Sequence, residues 1–332
     1  MKKIWGVIGV LVIALLVFGC TQANNSQTNQ EKLLVGYLPL DDHMTLMVAD
    51  ANHLFGNTVV EPVKFSDWAS LSEALSSGKI DGAHILNTLA VKMETNGFQG
   101  QTVVLSHRGL IDLVANKEIN SVDDLKGKVI AVPSHFSSHY FMLYHYLSEN
   151  GFDMKKDVTI IDVAPPDFVA TLASGKIQAF VGSQPFPTLA ESKGVGKVLV
   201  PWSEMEVKGL NGLDCVVVFN KQTIDEKPAA VQDYVKGIIQ AGQFIESNPA
   251  EAAKLASPYL LNLDPKLIED SIQEKEGVRY FGDLYPRASE YEHLQEYMVN
   301  VGAIKKPIDV NSFVNDSFAE YAYAQLGLAL KK

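Results

Sequence analysis

Short apolar runs alternate with segments of helical periodicity from residue 32 onward. The run from Lys32 to Leu38 reads as a strand, and apolar positions between Met44 and Leu54 then recur at helical spacing. Asp41 or Asp42 is the expected N-cap of that helix. Further strands are predicted near 58–64, 80–84 and 101–106, with a helix at 67–77, and the last third is predicted to be helical at 228–247, 249–260, 264–274, 287–302 and 310–329. This alternation is typical of βα units on a mainly parallel sheet, so the fold class is α/β.

An internal similarity relates two parts of the chain. Residues 73–81 (Glu-Ala-Leu-Ser-Ser-Gly-Lys-Ile-Asp) recur as 170–178 (Ala-Thr-Leu-Ala-Ser-Gly-Lys-Ile-Gln), an offset of 97 residues. Each copy reads as a helix end, a glycine where a positive φ is favoured, and a strand. The offset is too long for a solenoid repeat, so the pattern predicts two similar lobes with one copy each. Chance recurrence of a common helix–glycine–strand turn is the alternative.

A second similarity predicts where the chain crosses between the lobes. Residues 113–119 and 217–224 are both apolar strands that end in Asn-Lys. If the chain leaves the first lobe once and returns once, these two strands are the candidates for the crossings. The predicted division is therefore lobe 1 at 32–113 plus 220–332, and lobe 2 at 114–219.

The N-terminal 31 residues differ from the rest. Lys2 and Lys3 precede an apolar stretch of about 15 residues that ends at Phe18, followed by Gly19 and Cys20. This is typical of a secretory signal peptide at 1–19, and the stretch is shorter than the roughly 20 residues of a spanning helix. A cysteine at the cleavage position resembles the lipobox of bacterial lipoproteins, which implies lipidation of Cys20 and an extracytoplasmic, membrane-anchored protein. Residues 20–31 would then form a lipidated flexible tether, whereas an ordinary signal peptide with an incidental cysteine is the alternative.

Composition excludes several classes of protein. The chain has 28 basic and 39 acidic residues, a net charge of −11 that becomes −13 without Lys2 and Lys3, and it contains no basic block. Nucleic acid is therefore not an expected partner. Of the two cysteines, Cys215 lies in an apolar run and reads as a buried strand thiol, so a four-cysteine metal site is ruled out. Neither a phosphate loop, a dinucleotide fingerprint nor a G-x-S-x-G motif occurs, and no cofactor is expected.

Four segments occur in a characteristic order and spacing: 35–40 (Val-Gly-Tyr-Leu-Pro-Leu), 77–84 (Ser-Gly-Lys-Ile-Asp-Gly-Ala-His), 121–128 (Ser-Val-Asp-Asp-Leu-Lys-Gly-Lys) and 181–186 (Val-Gly-Ser-Gln-Pro-Phe). In these segments the chain resembles the solute-binding lipoproteins of ABC importers in the nitrate/sulfonate/taurine/bicarbonate group, which are related to thiamine-precursor binders. The resemblance implies a two-lobe periplasmic-binding-protein fold of type 2 with two hinge crossings. It also implies a monomeric binding protein rather than an enzyme, with a small-molecule solute, an ABC permease and the permease's ATPase as partners.

The same resemblance leaves the solute and the exact role open. A small oxyanion such as nitrate, bicarbonate or a sulfonate is the expected solute. However, members of the group often have an acidic residue, proline and tryptophan where this chain has Gln184-Pro185-Phe186, so the ligand is not carried over with the family. A same-fold enzyme of thiamine-pyrimidine or menaquinone type is one alternative, which the export signal at Cys20 argues against. A sensor lipoprotein that presents its ligand to a receptor kinase is the other.

Candidate ligand contacts lie at the carboxyl ends of strands and at helix N-termini, where amide groups and the helix dipole favour an anion. The richest segment runs from Ser134 to His139 and opens a helix. Each candidate has a structural alternative: helix capping for the serines and the glutamine, a satisfied buried histidine at 84, and an ion pair at 108. The predicted ligand-binding residues are His84, Arg108, Ser134, His135, Ser138, His139 and Gln184.

Tryptophan stacking and a metal site receive weaker support from the sequence. Trp68 and Trp202 could stack on a heterocycle or simply pack on a lobe surface. His135 and His139 have i,i+4 spacing, but no glutamate completes a His-Glu-x-x-His motif, so no metal ligand is predicted. No serine, histidine and aspartate are ordered as a nucleophile and its base, and no catalytic residue is predicted.

Overall fold

Ten strands form two separate five-stranded sheets in the computed structural model, which describes residues 30–210, 212–273 and 281–330. The signal peptide and most of the tether predicted from the sequence, including Cys20, lie outside the described residues. The strands are β1 Lys32–Tyr37, β2 Val59–Lys64, β3 Gly82–Leu86, β4 Gly100–Leu105, β5 Ile111–Asn116, β6 Lys128–Val132, β7 Val158–Asp162, β8 Ala179–Ser183, β9 Gly196–Val200 and β10 Cys215–Asn220.

Helices surround both sheets. They are α1 Met44–Ala51, α2 Trp68–Ser76, α3 Asn87–Thr95, α4 Ser138–Glu149, α5 Phe168–Ala173, α6 Phe186–Ser192, α7 Trp202–Met205, α8 Lys221–Glu226, α9 Pro228–Ser247, α10 Pro249–Ala256, α11 Pro265–Ile272, α12 Ala288–Asn300, α13 Val310–Phe313 and α14 Ser317–Gln325. Short 3-10 turns lie at Asp41–His43, Val122–Leu125 and Pro165–Asp167. Within the described ranges, none of the helices is both long enough and apolar enough to cross a membrane.

The two sheets have the same topology. The first has the order β2-β1-β3-β10-β4 and the second the order β7-β6-β8-β5-β9. In each, the first three strands are parallel, and the fourth, β10 or β5, runs antiparallel to both of its neighbours. We call the unit around the first sheet lobe 1 and the unit around the second sheet lobe 2.

The 97-residue repeat corresponds to equivalent positions in the two lobes. β3 and β8 follow the two copies and are the third strands of their sheets. Gly78 and Gly175 precede them with φ values of 70° and 74°, just beyond the ends of α2 and α5. Glycine is favoured at both points because a Cβ atom disfavours a left-handed backbone. The sequence repeat is therefore a repeat of structure.

The sheet pairing moves the lobe boundaries away from those taken from the sequence. β5 lies wholly in the second sheet, where Ile111 pairs with Ser183, and β10 lies wholly in the first, where Cys215 pairs with Leu86. The chain therefore crosses at 106–110 and 201–214, rather than at 113/114 and 219/220. The reason is that the Asn-Lys similarity marks the far ends of two equivalent strands, and each crossing comes just before its strand.

The C-terminal helices pack mainly on lobe 1, and α11 and α12 also contact α6 and α4 of lobe 2. α9 spans the predicted 228–247, begins with a proline, and packs against α1 and α14. The predicted helix at 310–329 is instead the two helices α13 and α14, because Val314 forms a bridge with Thr102 and Asn315 donates its amide hydrogen to the Thr102 carbonyl. These contacts with the edge strand β4 interrupt the helix.

Candidate functional site

The two connecting segments, 106–110 and 201–214, meet where the lobes adjoin. The amide of Gly109 donates to the carbonyl of Gly212 at 2.9 Å, and Arg108 pairs with Leu213 as an isolated bridge. Gly109, Leu110 and Gly212 have φ values of 68°, 68° and 71°. Such a backbone is uncommon for leucine and costs on the order of 1–3 kcal/mol. The segments therefore form a paired, strained hinge rather than two independent linkers.

Buried polar side chains from both lobes converge at this hinge, and we call them the junction cluster. Each member is at most 4 % exposed. His107 Nε2 lies 3.5 Å from Asp42 Oδ1 and 3.4 Å from Asp214 Oδ2. The members from lobe 1 and the connecting segments are Asp41, Asp42, His107, Asp214 and Cys215, and those from lobe 2 are Ser138, His139 and Ser183.

Hydrogen bonds across the junction join the two lobes directly. The Ser138 hydroxyl at the start of α4 donates to Asp214 Oδ1, and His139 Nδ1 lies 4.0 Å from the same oxygen. The backbone amide of Asp41 donates to the carbonyl of Gln184 at 3.0 Å. These contacts bury the cluster between the two lobes.

Burial and neighbouring charges shift the protonation of the cluster. Burial raises the pKa of Asp41 to about 8 and that of Asp42 to about 7. Burial alone would raise the pKa of Asp214, but His139 and His107 lower it. For His107, burial lowers the pKa, but Asp42 and Asp214 outweigh this and raise it. At neutral pH the favoured state combines an ionised Asp214 with a protonated His107, so the cluster is close to neutral.

The segment 134–139 splits into a buried and an exposed part. Ser137 is the N-cap of α4 and accepts from the amide of Tyr140 at 3.1 Å. His139 lies one turn inside, where its Nε2 forms a 2.8 Å hydrogen bond with the Ser183 hydroxyl, and burial lowers its pKa to about 4. His135 is exposed and contacts Asp162. Ser138 and His139 thus belong to the junction cluster, whereas His135 does not.

Two spaces adjoin the junction. An outer groove is lined by Asp67, Trp68 and Lys92 of lobe 1 and by Ser134 and Phe136 of lobe 2, among others. Lys92 Nζ lies 5.2 Å from the centre of the Phe136 ring, so the groove is bridged by a cation–π contact. An inner, mainly apolar cavity is lined by residues that include Ser138, Phe141, Trp202, Asp214 and Tyr297.

His84 is held within lobe 1. Its Nδ1 is 2.6 Å from the Ser106 hydroxyl and its Nε2 is 2.7 Å from the Tyr234 hydroxyl. The Ser106 hydroxyl donates to the Asp42 carbonyl and therefore accepts from the ring, so the neutral tautomer protonated on Nδ1 fits. Burial lowers the pKa of His84 well below its ordinary value. His84 is thus a buried histidine whose two ring nitrogens are both hydrogen-bonded within lobe 1, which was the structural alternative to a ligand contact.

Arg108 forms a buried ion pair. Its guanidinium donates to Glu290 at 3.1 and 3.3 Å, and to the carbonyls of Asp283 and Tyr285 at 2.9 and 3.2 Å. These bonds tie the first connecting segment to the C-terminal region of lobe 1. Arg108 therefore forms an ion pair, as the structural alternative from the sequence had it, but this pair is buried and does not lie on the surface.

Gln184 faces the junction through its backbone. Its side-chain amide donates to Asp112 at 3.1 Å within lobe 2, and its side-chain oxygen accepts from the amide of Thr188 at 3.2 Å. The Gln184–Pro185 peptide bond is cis. The side chain therefore supports the start of α6, and the carbonyl contacts lobe 1.

Sequence reasoning missed the charged members of the junction cluster. Asp41 and Asp42 were expected to cap a helix, but the N-cap of the 3-10 turn is Leu40 and that of α1 is His43, without side-chain capping. Instead, Asp41 accepts a hydrogen bond from Ser271. His107 follows the strand predicted near 101–106, and Asp214 precedes the apolar run that contains Cys215. A sequence signal for His107 and Asp214 does exist. Each is a polar, titratable residue next to a long apolar run, in one of the two segments that join the lobes, and such residues are rarely buried without a partner.

A model of the NMT1-like family matches residues 26–259, more than two thirds of the chain. The putative aliphatic sulfonates-binding protein of Bacillus subtilis is 25 % identical over an alignment of 334 positions, which covers 97 % of each chain. The nitrate/nitrite binding protein NrtA of Nostoc is 24 % identical over 71 % of this chain. The chain spans 59 % of the length of that relative. The nitrate import ATP-binding protein NrtC of Synechocystis is 22 % identical over 64 % of this chain, and the chain spans 34 % of its length.

Solved structures confirm the fold predicted from the sequence. The nitrate-binding protein NrtA from Synechocystis matches with a TM-score of 0.79 at 18 % identity, over 90 % of this chain and 89 % of that one. The ligand-binding component of an ABC-type import system from Staphylococcus aureus, solved with zinc bound, also matches with a TM-score of 0.79. The two chains are 22 % identical, and the match covers 88 % of this chain and 99 % of that one. The two lobes are thus arranged as in periplasmic binding proteins.

Proposed function

Because the chain belongs to the NMT1-like family, we propose that it is the solute-binding protein of an ABC importer. The observation that carries this proposal is the junction: two lobes of identical topology, joined by two short segments, bring buried polar groups of both lobes together. The relatives named as nitrate- and sulfonates-binding proteins support the same role. In this role the chain captures a solute without transforming it.

The mechanism is hinge closure. A solute that enters between separated lobes contacts one lobe first, and the second lobe adds its contacts only on closing. Extra contacts in the closed state shift the equilibrium toward it, by no more than the difference in affinity between the two states. Ser138, His139 and Ser183 of lobe 2 are the donors that closure would bring to the solute. The importer's permease then receives the solute from the closed form, and its ATPase drives the transport.

A small solute with an oxyanion group, such as nitrate, bicarbonate or a sulfonate, is the proposed cargo. The start of α4 supports it, because Ser138 and His139 stand in the first turn, where amide groups and the helix dipole favour negative charge. Arg108 does not add a charge for the solute, since its guanidinium is held by Glu290. The anion would therefore be bound by hydroxyl, imidazole and amide donors.

The deciding experiment identifies the cargo and then weakens its site. Mass spectrometry of molecules released from the purified protein, followed by titration calorimetry with oxyanions, sulfonates, taurine and amines, names the solute. Loss of one hydrogen bond to a charged ligand costs about 1.5–3 kcal/mol, so Ser138→Ala and His139→Ala should each weaken binding roughly tenfold to a hundredfold.

His145→Ala is the matched control, because His145 lies on the same helix but contacts Glu149 instead of the junction. It should bind as the wild type does. If both test variants bind within about twofold of wild type, the junction is not the solute site. If only amines bind, the oxyanion is wrong while the solute-binding role stands.

We further propose that the protein works outside the cytoplasm as a monomer, anchored through lipid on Cys20. The charged start, short apolar stretch and cysteine support this. Cys20→Ser should move the protein from the membrane fraction to the soluble fraction, measured by fractionation together with mass spectrometry of the N-terminal peptide. Cys215→Ser leaves the N-terminus untouched and should remain in the membrane fraction. Retention of the Cys20 variant, with no lipid on the wild type, overturns the anchor.

A further inference from the structure

Four side chains of metal-binding type lie together at the hinge. One ligand atom each from Asp42, His107, Asp214 and Cys215 lies within 4.8 Å of all the others, and all four residues are buried. Asp42 precedes α1 and His107 belongs to the first connecting segment. Asp214 ends the second connecting segment, and Cys215 begins β10. Three separate parts of the chain thus converge on one point.

The facing atoms of this group lack hydrogen bonds. Asp42 Oδ1, both ring nitrogens of His107 and Asp214 Oδ2 are fully buried, and none has a hydrogen-bond partner. The distances from His107 Nε2 to the two carboxylates, 3.5 and 3.4 Å, are longer than a good hydrogen bond. Buried polar atoms are nearly always paired in proteins, because leaving them without a partner is costly. Three buried polar groups that face one another at ion-pair distance, but without a good hydrogen bond, form an arrangement that a shared central ligand would satisfy.

The donor set selects the kind of ligand. Two carboxylate oxygens, one imidazole nitrogen and one sulfur form a four-donor set of mixed softness, which suits Zn²⁺ in tetrahedral coordination. Ca²⁺ and Mg²⁺ prefer all-oxygen sites, so histidine and cysteine argue against them. We propose that Asp42, His107, Asp214 and Cys215 bind one Zn²⁺ ion at the hinge.

A hydrogen bond links this site to lobe 2. Asp214 directs its other oxygen, Oδ1, to the hydroxyl of Ser138, which opens α4. Zinc bound to Oδ2 would fix the orientation of this carboxylate and thereby hold the acceptor for Ser138 in place. The ion would also fasten both connecting segments to lobe 1 and limit their movement. Zinc binding is therefore expected to stabilise the junction whichever solute the protein carries.

The test uses the purified full-length chain, stripped of metal by a chelator. Titration calorimetry with ZnCl₂ and elemental analysis after desalting should both give one zinc per chain. Loss of an outer-shell partner alone weakens metal binding 10- to 100-fold, so loss of a ligand in His107→Gln or Cys215→Ala should weaken it at least tenfold. His135→Gln is the matched control, because this exposed histidine contacts Asp162 and lies outside the cluster. It should bind zinc as the wild type does.

A second measurement needs no variant and so does not depend on the folding of one. Co²⁺ added to the metal-free wild type should give near-ultraviolet thiolate-to-cobalt absorption, because Cys215 is the one described cysteine. Zinc that binds at less than one per chain, or that binds unchanged to a folded His107→Gln variant, overturns the proposal. Cobalt binding without the thiolate absorption also overturns the four-ligand site. In these cases the cluster is an ion triad of Asp42, protonated His107 and Asp214.

Discussion

At the scale of single residues, His84 shows how burial fixes a protonation state. Its Nδ1 donates to Ser106 and its Nε2 accepts from Tyr234, so a second ring proton would break the hydrogen bond from Tyr234. The folded protein therefore keeps His84 neutral at a pH where an unfolded chain would protonate it. Between the ordinary pKa of about 6.5 and the lower folded value, the unfolded state binds more protons. The contribution of His84 to stability is full above pH 6.5 and is lost as the pH falls.

This sign gives a measurable prediction. Between pH 7.5 and 5.5, His84 alone should remove about 1 kcal/mol from the free energy of unfolding, since each proton taken up costs about 1.4 kcal/mol per pH unit. His84→Gln should therefore lose about 1 kcal/mol less than wild type over this range in urea denaturation. Tyr234→Phe keeps the histidine and should retain the wild-type pH dependence at lower overall stability. Equal pH dependence in His84→Gln and wild type would contradict the neutral histidine.

At the scale of elements, two glycines with the same backbone conformation face different surroundings. Gly78 has φ of 70° and would carry a Cβ into open space, with nothing within 4 Å. Gly109, in the first connecting segment, has φ of 68°, and its Cβ would lie 3.0 Å from Trp202. Gly78→Ala isolates the cost of the left-handed backbone, whereas Gly109→Ala adds a clash at the hinge.

Gly78→Ala should lower the free energy of unfolding by about 1 kcal/mol, and Gly175→Ala by the same amount, since the two lobes repeat this turn. Gly109→Ala should cost about 2–4 kcal/mol, the strain plus overpacking against Trp202. Urea denaturation of the three variants beside wild type measures both differences. If Gly109→Ala is no worse than Gly78→Ala, Trp202 does not constrain the hinge.

Element positions were predicted well wherever local signals decide them. α9 matches the predicted range because a proline starts it and apolar positions recur along one face. The prediction failed at 310–329, where pairing of Val314 with Thr102 interrupts the helix. It also failed at Asp41 and Asp42, which have the composition of helix caps but are buried against distant residues. Contacts between residues more than 170 positions apart, such as Asp42 with Cys215, have no local signature.

At the scale of the whole molecule, Arg108 connects the hinge with the C-terminal region of lobe 1. Glu290 at the start of α12 is 1 % exposed and accepts from the guanidinium at 3.1 and 3.3 Å. Removing one partner of a buried ion pair is strongly destabilising, because the other charge stays buried. The chain therefore depends on this pair more than on its exposed ones.

Glu290→Gln should lower the free energy of unfolding by about 3 kcal/mol. This value is at the lower end of the range for broken buried ion pairs, because Arg108 keeps its hydrogen bonds to the carbonyls of Asp283 and Tyr285. Asp225→Asn breaks the exposed pair with Lys221 and should cost less than about 0.5 kcal/mol. Urea denaturation of the two variants gives the comparison. Similar, small losses would show that the Arg108–Glu290 pair adds little to stability.

The positions of β5 and β10 determine the order in which the chain can fold as it is synthesised. Residues 111–200 contain all five strands of the second sheet, so lobe 2 can assemble as soon as they are available. The first sheet must wait for residues 215–220, because β10 inserts between β3 and β4. Until then, β3 and β4 present unpaired edges, and open strand edges promote aggregation. A truncated or stalled chain that ends before residue 215 thus has a complete lobe 2 and an open lobe 1, and residues 32–105 are those that most need a chaperone.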